Sequence, residues 1–342
     1  MYKHFIELTD KTGIIQFSKG SRPDIKSGYT IDDNARALII ALGMKGNSRI
    51  ELAKTYSRYM KEAQLENGVW QNLKINGKFS SALNSEDSMG RGVLAASFAT
   101  NCEIDEVRHL AKIMLQKSIP SAVHLTSPRA SSYVLLCLCN LLQVYNNANN
   151  THISQYARKI SQRLINLYEQ NHTQDWHWYE NILTYCNALM PHALFAYYIV
   201  SSNKKALQVA VDSLNFLTDT LFKPGYLSIV GNRGWWKKGQ KIPPFDQQPV
   251  DACSIALACI QGYIATQKSE LCEMAKLAYE WYLGKNINKV SVINEKTQGC
   301  HDALTPYGVN LNQGAEAIIS YLMAHQIIYN DGAKSKTIIP TV

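Results

Sequence analysis

The chain has 342 residues, of which 46% are hydrophobic and 18% are charged, and its formal net charge is +8. This composition is typical of a globular protein with a substantial core. The lysines are spread over the chain rather than gathered in a dense stripe, which argues against a dedicated nucleic-acid binder, and the charge favours anionic partners only weakly.

The N-terminal region has no signal-peptide pattern, because Lys3, Glu7, Asp10 and Lys11 interrupt residues 1–15. No apolar run is long enough to suggest a bilayer span. The eight cysteines are scattered, mostly within apolar helical patterns, without a C-x-x-C pair or zinc-finger spacing. We therefore expect a cytoplasmic protein with reduced, buried thiols, and we expect neither a membrane nor a nucleic acid as partner.

Turn signals around a short apolar run at Ile14–Phe17 predict that residues 1–30 form a loop or short-strand lead-in. Residues 31–330 are almost entirely helical in pattern and are expected to form one toroidal domain. Residues 331–342 are expected to be a loose tail. The predicted helices lie at about 31–44, 49–65, from 85, 104–118, from 127, 152–170, from 181, 203–222, from 250, 269–284 and 312–329.

Several helix boundaries rest on single residues. Ser48 is expected to cap the second helix, with Glu51 completing a capping box, and Pro120 is expected to lie beyond the end of the fourth. Pro191 is expected to kink the seventh helix. A polar, hairpin-like stretch is predicted at Trp70–Lys78.

The odd-numbered predicted helices are apolar around their whole circumference, as in residues 35–41 and 255–260, whereas the even-numbered ones are amphipathic. A helix that is apolar all round is buried. This alternation predicts an all-α (α/α)6 toroid, in which parallel inner helices bring their N-termini together at one mouth. Only five clear outer helices accompany six inner ones, so the N-terminal segment either supplies the sixth or the sixth is missing. An open α-solenoid is the alternative.

Two of the inner-helix starts carry an acidic pair followed by an arginine. Thr30 is the expected N-cap of the first, and Asp32 and Arg36 lie four residues apart on one face, as do Asp87 and Arg91 in the second. A carboxylate bound to arginine stays ionised, which suits a base or a nucleophile. The alternative is that these residues only cap and pair at ordinary helix starts.

The loop before the seventh predicted helix surrounds Glu180 with aromatic residues, Trp176, Trp178 and Tyr179, and with His177. Aromatic faces can stack on sugars, and an apolar wall raises the pKa of a carboxyl group towards that of a general acid. Glu180 is therefore the first candidate for a proton donor. The alternative is that the aromatics belong to the core and that Glu180 interacts with the helix dipole.

Later loops complete the predicted mouth. The catalytic candidates are acidic residues at or near inner-helix starts: Asp32, Asp33, Glu86, Asp87, Glu180 and Asp251. The substrate-binding candidates are Asn34, Arg36, Arg91, Trp176, His177, Trp178, Tyr179, Trp235, Trp236, Asp246, His301, Asp302, Tyr307 and Glu316. The chain lacks P-loop, G-x-S-x-G and H-E-x-x-H motifs, so no metal site and no cofactor are predicted.

A toroid with carboxylates and tryptophans at its inner-helix N-termini resembles the six-hairpin glycosidase superfamily. The tandem Asp32-Asp33 is similar to the adjacent aspartates of its endo-acting α-mannanases. The motif G-Y-T-I-D-D-N-A-R-A-L at Gly28–Leu38, with Asn312–Glu316, also resembles a poorly characterised bacterial group found beside or fused to glycosyltransferases.

This resemblance covers nearly the whole chain and implies a glycoside hydrolase for a mannose- or glucose-type oligosaccharide. In a two-carboxylate mechanism Glu180 would be the acid, and Asp32, Asp33, Glu86 or Asp251 the base or nucleophile.

Two other functions are compatible with the same pattern. The first is a sugar isomerase or epimerase of the N-acylglucosamine 2-epimerase type, for which His177 and His301 would be the proton-transfer pair. The second is a non-catalytic glycan-binding module partnered with a glycosyltransferase.

Overall fold

The computed structural model describes residues 1–145, 151–329 and 338–341. Within them the α-helices are α1 (Lys3–Glu7), α2 (Ile31–Gly43), α3 (Ser48–Ala63), α4 (Glu86–Ala99), α5 (Asp105–Ala122), α6 (Pro128–Tyr145), α7 (Thr151–Asn171), α8 (Leu189–Ser201), α9 (Lys204–Leu221), α10 (Pro249–Thr266), α11 (Glu270–Glu280) and α12 (Ala315–Tyr329).

An inner ring is formed by α2, α4, α6, α8, α10 and α12. Each packs on the next, and α12 packs on α2, which closes the ring. Small residues such as Ala35, Ala37 and Ala41 in α2 and Ala252, Ala256 in α10 are fully buried and allow close approach of neighbouring helices. The predicted all-α (α/α)6 toroid is confirmed, and the open solenoid is excluded because the ring closes.

The outer ring covers the inner one. The helices α3, α5, α7, α9 and α11 each pack on the inner helix that precedes them in the chain, with an apolar face inward. Against α12 lies α1, a helix of five residues that buries His4 and Phe5. The N-terminal segment therefore takes the sixth outer position, which resolves the open question of the sixth pair.

Short antiparallel strands join the helices. They are β1 (Ser18–Lys19), β2 (Arg22–Pro23), β3 (Tyr29–Thr30), β4 (Leu73–Ile75), β5 (Lys78–Ser80), β6 (Ile182–Leu183), β7 (Trp236–Lys237), β8 (Ile293–Asn294), β9 (Gly299–Cys300), β10 (Leu304–Thr305) and β11 (Gly308–Val309). In the three-stranded sheet, Tyr29 pairs with Lys74 and Thr30 with Leu73, so the hairpin expected near residues 70–78 is fixed to the start of α2.

Three predicted boundaries are wrong. Helix α8, the seventh predicted helix, begins at Leu189 rather than near Asn181, because Ile182–Leu183 pair with β7. Pro191 therefore lies in the first turn of α8, where a proline does not interrupt a hydrogen bond, and it does not kink the helix. Helix α5, the fourth predicted helix, continues through Pro120 to Ala122; Pro120 lies in the last turn and removes only the one hydrogen bond that its own N–H would have made. Helix α3, the second predicted helix, begins at Ser48 itself rather than after it, and its N-cap residue Asn47 makes no side-chain hydrogen bond to the helix.

The chain's C-terminal segment packs at the end of the ring opposite the mouth. Ile338 and Ile339 are each 3% exposed, and their N–H groups donate to the side-chain oxygens of Gln143 in α6 and Gln261 in α10, both at 2.9 Å. This differs from the expected loose tail, because two isoleucines gain free energy when buried against helix ends. Residues 331–337 and 342 of that tail lie outside the described part.

Among the described residues, α10 is the one helix that its length and its mean hydropathy, 1.2 over 18 residues, would allow to be taken for a membrane span, although the sequence patterns suggested no such run. Its surroundings explain the composition, since 83% of that stretch is buried inside the protein as one helix of the inner ring. The eight cysteines are all free thiols, and six of them are buried.

Candidate active site

The N-termini of the inner helices meet at the mouth and enclose a cavity of about 420 Å³. Its walls come from the starts of α2, α4, α10 and α12 and from the loops that precede them. The polar and charged residues lining it are Gln16, Thr30, Asp32, Asp33, Arg36, Asn72, Arg91, Gln248, Asp302 and Glu316. Four carboxyl groups and two guanidinium groups therefore share one small space.

The start of α2 places two of these carboxyl groups. The hydroxyl oxygen of Thr30 accepts the N–H of Asp33 at 3.1 Å, and the same hydroxyl donates to Asp33 Oδ2 at 2.6 Å. Arg36 Nη2 donates to Asp33 Oδ1 at 2.9 Å. Burial raises the pKa of Asp33 to about 6, although the positive charge of Arg36 acts to lower it.

Asp32 is held by groups from outside its own helix. Arg91 Nη1 donates to Asp32 Oδ1 at 2.7 Å, and Asn72 Nδ2 donates to Asp32 Oδ2 at 2.9 Å. Burial alone would raise the pKa of Asp32, but Arg91, Arg36 and these two hydrogen bonds lower it below its ordinary value. Asp32 therefore stays ionised at neutral pH.

The pairings predicted within each helix are wrong. Arg36 binds Asp33 and Glu316 rather than the carboxylate of Asp32, and Arg91 binds Asp32 rather than Asp87. The physical reason is that the inner helices run side by side, so that their first turns face one another across the mouth. The arginines thereby link α2 to α4 and to α12.

Two further carboxyl groups enter from the region before and at the start of α12. Glu316 accepts from Arg36 Nη1 at 3.0 Å, and 46% of its side chain is exposed. Asp302 Oδ1 accepts the N–H of Gly314 at 2.6 Å, whereas Oδ2 has no hydrogen-bond partner among the described residues. Burial raises the pKa of Asp302 above its ordinary value, with Glu316 adding to the effect.

Asp251 lies in the first turn of α10, two residues from the cavity-lining Pro249. Its Oδ1 accepts the N–H of Cys186 at 2.7 Å, whereas its buried Oδ2 has no partner in the described chain. Burial raises the pKa of Asp251 to about 8. Asp251 is therefore held as a neutral acid at neutral pH, just beneath the mouth.

A second polar cluster lies between α4, α6 and the loop before α8. Asp87 accepts from the hydroxyl of Tyr185 at 2.7 Å. Glu180 accepts from Arg129 Nη1 at 3.1 Å, and Arg129 also donates to the carbonyl of Tyr185 at 2.7 Å. Neither Asp87 nor Glu180 lines the cavity of about 420 Å³. Glu180, the first candidate for a proton donor, is thus engaged in an ion pair beside the cavity.

Glu86 binds the start of α6. Its Oε2 accepts the N–H groups of Thr126 at 2.8 Å and of Ser127 at 2.5 Å, and Oε1 accepts from the Thr126 hydroxyl at 3.2 Å. These are bonds of the kind that a helix N-terminus offers to an anion. The structure thus gives Glu86 a cap-like role at the rim of the mouth.

Most of the predicted sugar-stacking residues lie in the core. Trp178 and Tyr179 are fully buried and Trp176 nearly so, and Trp176 packs edge-on against Trp236 with ring centroids 4.8 Å apart. Two of these aromatics border the second polar cluster: the ring centroid of Trp235 lies 6.3 Å from that of Tyr185, and the indole N–H of Trp176 donates to the backbone carbonyl of Glu180 at 2.8 Å. The alternative hypothesis, that these aromatic residues belong to the core, therefore describes the position of Trp176, Trp178 and Tyr179 correctly.

Both candidate histidines lie outside the cavity lining. His177 contacts the hydroxyl of Tyr168 at 3.3 Å and the carbonyl of Gln174 at 3.0 Å, at the outer side of α7. His301 is nearly buried among backbone carbonyls, including that of Asn312, and burial lowers its pKa.

Three other candidates also lie away from the cavity. Asn34 is fully buried, and its amide bonds the backbone of Thr30 and Ile14, so it fixes the lead-in to α2. Asp246 pairs with Arg233 at 3.0 Å. Tyr307 is 96% exposed on the turn between β10 and β11.

The predicted site residues did not include Asn72, Gln248, Arg129 or Tyr185, although all four belong to the mouth. Asn72 and Gln248 precede a strand and a helix without a local motif, so their roles follow only from the assembled ring. Arg129 had a signal, since it directly follows Ser127-Pro128 at an inner-helix start. Among the described residues, no group of three or more His, Cys, Asp or Glu side chains has a metal-holding arrangement.

Comparison with solved structures shows the same architecture elsewhere. A sugar epimerase from a ruminal bacterium matches with a TM-score of 0.72 at 12% identity, over 96% of this chain and 95% of that one. The cellobiose 2-epimerase of Bacillus thermoamylovorans B4167 matches with a TM-score of 0.71 at 12% identity, over 95% and 94%. The GH76A α-1,6-mannanase of Salegentibacter sp. HEL1_6 matches with a TM-score of 0.64 at 12% identity, over 95% of both chains.

No protein-family model and no curated protein matches the sequence. Identities near 12% show a shared fold alone. The chain therefore has the α/α-toroid architecture that sugar epimerases and a mannanase also have, and its activity must be argued from its own cavity.

Proposed function

We propose that this chain is a glycoside hydrolase that acts on a mannose- or glucose-type oligosaccharide at the cavity of the mouth. The observation that carries the proposal is the pair Asp32 and Asp302, which line one cavity and whose pKa values are displaced in opposite directions. Carboxyl groups whose environments push their pKa values apart are suited to be the base and the acid of one reaction.

In this proposal Asp302 is the general acid in place of Glu180. Its Oδ2 can carry a proton into the cavity while Oδ1 accepts from Gly314, and its raised pKa keeps more of the group protonated. Asp302 gives its proton to the leaving oxygen as the glycosidic bond breaks. The neutral Asp251 beneath the cavity is the second candidate for this role.

Asp32 acts on the other side of the scissile bond. As an ionised group it either takes a proton from the attacking water, which inverts the anomeric centre, or attacks that centre itself and forms a glycosyl ester that water then cleaves. Arg91 and Asn72 hold both of its oxygens and fix its orientation. Arg36 and Glu316 offer donors and acceptors for sugar hydroxyls.

The test measures new reducing ends from a panel of α- and β-linked manno- and gluco-oligosaccharides. Asp32→Asn and Asp302→Asn should each lower kcat by about 100-fold to 10,000-fold, because each removes one proton-transfer or nucleophilic role. Asp212→Asn is the control, since Asp212 is a surface residue of α9 that contacts Gln208. Full turnover in both folded cavity variants would refute the assignment.

A sugar epimerase or isomerase is the second candidate, favoured by the likeness to the sugar epimerase and the cellobiose 2-epimerase. Among the described residues that line the cavity no histidine occurs, so carboxyl groups would have to move the proton. Reaction in D2O separates the candidates. An epimerase incorporates deuterium at C2 of the sugar without new reducing ends, whereas the hydrolase produces reducing ends without deuterium on carbon.

A further inference from the structure

A second groove, of about 1060 Å³, lies on the outer wall of the ring along α7. It begins at Thr126 and Pro128, at the start of α6, and follows one face of α7 from Gln170 to Gln155. At 1.5 Å per helical residue, that face is about 22 Å long. The groove therefore suits an extended, linear ligand rather than a compact one.

The groove is lined by hydrogen-bond donors and positive charge. Its cations are Arg158, Lys159 and Arg163, and they alternate with side-chain amides along the helix face. No carboxylate is among its lining residues, and within the described chain neither Arg158 nor Lys159 forms an ion pair. The single acidic residue of α7, Glu169, binds Lys205 at 2.7 Å. A cationic face without internal neutralisation favours an anionic ligand.

The end of the groove at Thr126 and Pro128 reaches the rim of the mouth. Thr126 donates its N–H to Glu86, the first residue of the inner helix α4. Arg163 Nη1 donates to the carbonyl of Leu125 at 2.5 Å, which fixes the wall of the groove to the loop that enters α6. A linear ligand that leaves the mouth at this rim can continue into the groove.

We propose that the groove binds the distal, carboxylate-bearing part of a polysaccharide whose mannose- or glucose-type end occupies the mouth. This inference rests on the proposed glycoside hydrolase. A neutral glycan is less suited to the groove because its lining contains no aromatic ring for stacking, whereas arginines and amides bind carboxylates through paired donors. A glycan is favoured over an acidic polypeptide by the continuity with a cavity proposed to bind sugar.

The test compares Arg158→Gln/Lys159→Gln with the matched variant Lys223→Gln/Lys268→Gln, which removes the same charge from exposed positions elsewhere. Binding of polygalacturonate is measured by titration calorimetry at low and high salt, beside a neutral mannan and poly-L-glutamate. We expect the groove variant to bind polygalacturonate about tenfold more weakly, a loss that shrinks at high salt, while the control variant binds as the wild type.

Equal binding of polygalacturonate by all three proteins would overturn the proposal, as would equal loss in both variants. Tighter binding of poly-L-glutamate than of polygalacturonate would replace the glycan by an acidic polypeptide. Turnover of short neutral oligosaccharides should be unchanged in the groove variant. If the wild type shows no turnover but the groove variant still loses polygalacturonate binding, the proposed hydrolase fails while the groove remains a polyanion site.

Discussion

Replacing Arg91 by methionine should destabilise the protein in a way that depends on pH. The side chains of Arg91 and Asp32 are 9% and 22% exposed, and their ion pair measures 2.7 Å. Removing one partner of a mostly buried pair leaves an uncompensated charge, so we expect a loss of about 3 kcal/mol in the free energy of unfolding at pH 7. Methionine keeps the apolar stem, so little of this loss comes from packing.

The pH dependence distinguishes charge from packing. In the wild type the pKa of Asp32 is lowered, so its stabilising contribution is complete above the unfolded value of 3.8 and is lost as the pH falls through the folded pKa. In Arg91→Met burial dominates and raises that pKa, so ionisation of Asp32 now costs stability as the pH rises above 3.8. The difference between the two proteins should therefore be largest near pH 7 and shrink towards pH 4.

Urea denaturation followed by circular dichroism at pH 7, 5.5 and 4 measures this difference directly. Arg233→Met is the control, because Arg233 pairs with Asp246 while 58% exposed, and exposed pairs contribute at most about 1 kcal/mol. A loss in Arg91→Met that is the same at pH 7 and pH 4, or no larger than in the control, would contradict the argument.

Three further results are expected. Between about pH 4 and pH 8 the wild type should lose roughly 1.4 kcal/mol of stability per pH unit, because the pKa of Asp251 is raised to about 8 in the folded protein. Asp251→Asn lacks this loss, so in urea titrations it should gain stability relative to the wild type as the pH rises. Gly314→Ala should lower kcat about tenfold, because its Cβ would lie 3.2 Å from Asp302 Oδ1 and 3.3 Å from the carbonyl oxygen of Gln16. Ile339→Asp should lose about 3 kcal/mol of stability by burying a carboxylate, whereas the same change at the exposed Ile25 should cost little.

Each of the three has an outcome that contradicts it. A parallel pH dependence of stability in Asp251→Asn and the wild type would show that Asp251 ionises normally. Wild-type kcat in Gly314→Ala would show that Asp302 is not held by that contact. A fully stable Ile339→Asp would place the C-terminal segment outside the core.

The ring was predictable because burial leaves a signal in the sequence: helices that are apolar on every side alternate with amphipathic ones. A helix such as α10, apolar on every side from Ala252 to Ile260, can be stable only when other helices surround it. Helix boundaries were less predictable where strands replace a turn, as at Ile182–Leu183, since two-residue strands leave no periodic signal.

The partners of the charged residues were not predictable from local spacing. Asp32 and Arg36 have the spacing of a helical pair, yet Asp32 binds Arg91, 59 positions along the chain. Likewise, the aromatics around Glu180 have the same composition whether they face a ligand or the core. Only the packing of Trp176 on Phe216 and Trp236 decides between them.

The contact between Arg36 and Glu316 joins residues 280 positions apart and spans the seam where the first inner helix meets the last. The cavity therefore does not exist in a nascent chain until Glu316 has been synthesised. A ligand that binds there binds only the folded, closed ring. By mass action, raising the concentration of that ligand therefore raises the free energy of unfolding of the protein. Thermal shift against a library of sugars thus gives a direct route to the natural ligand.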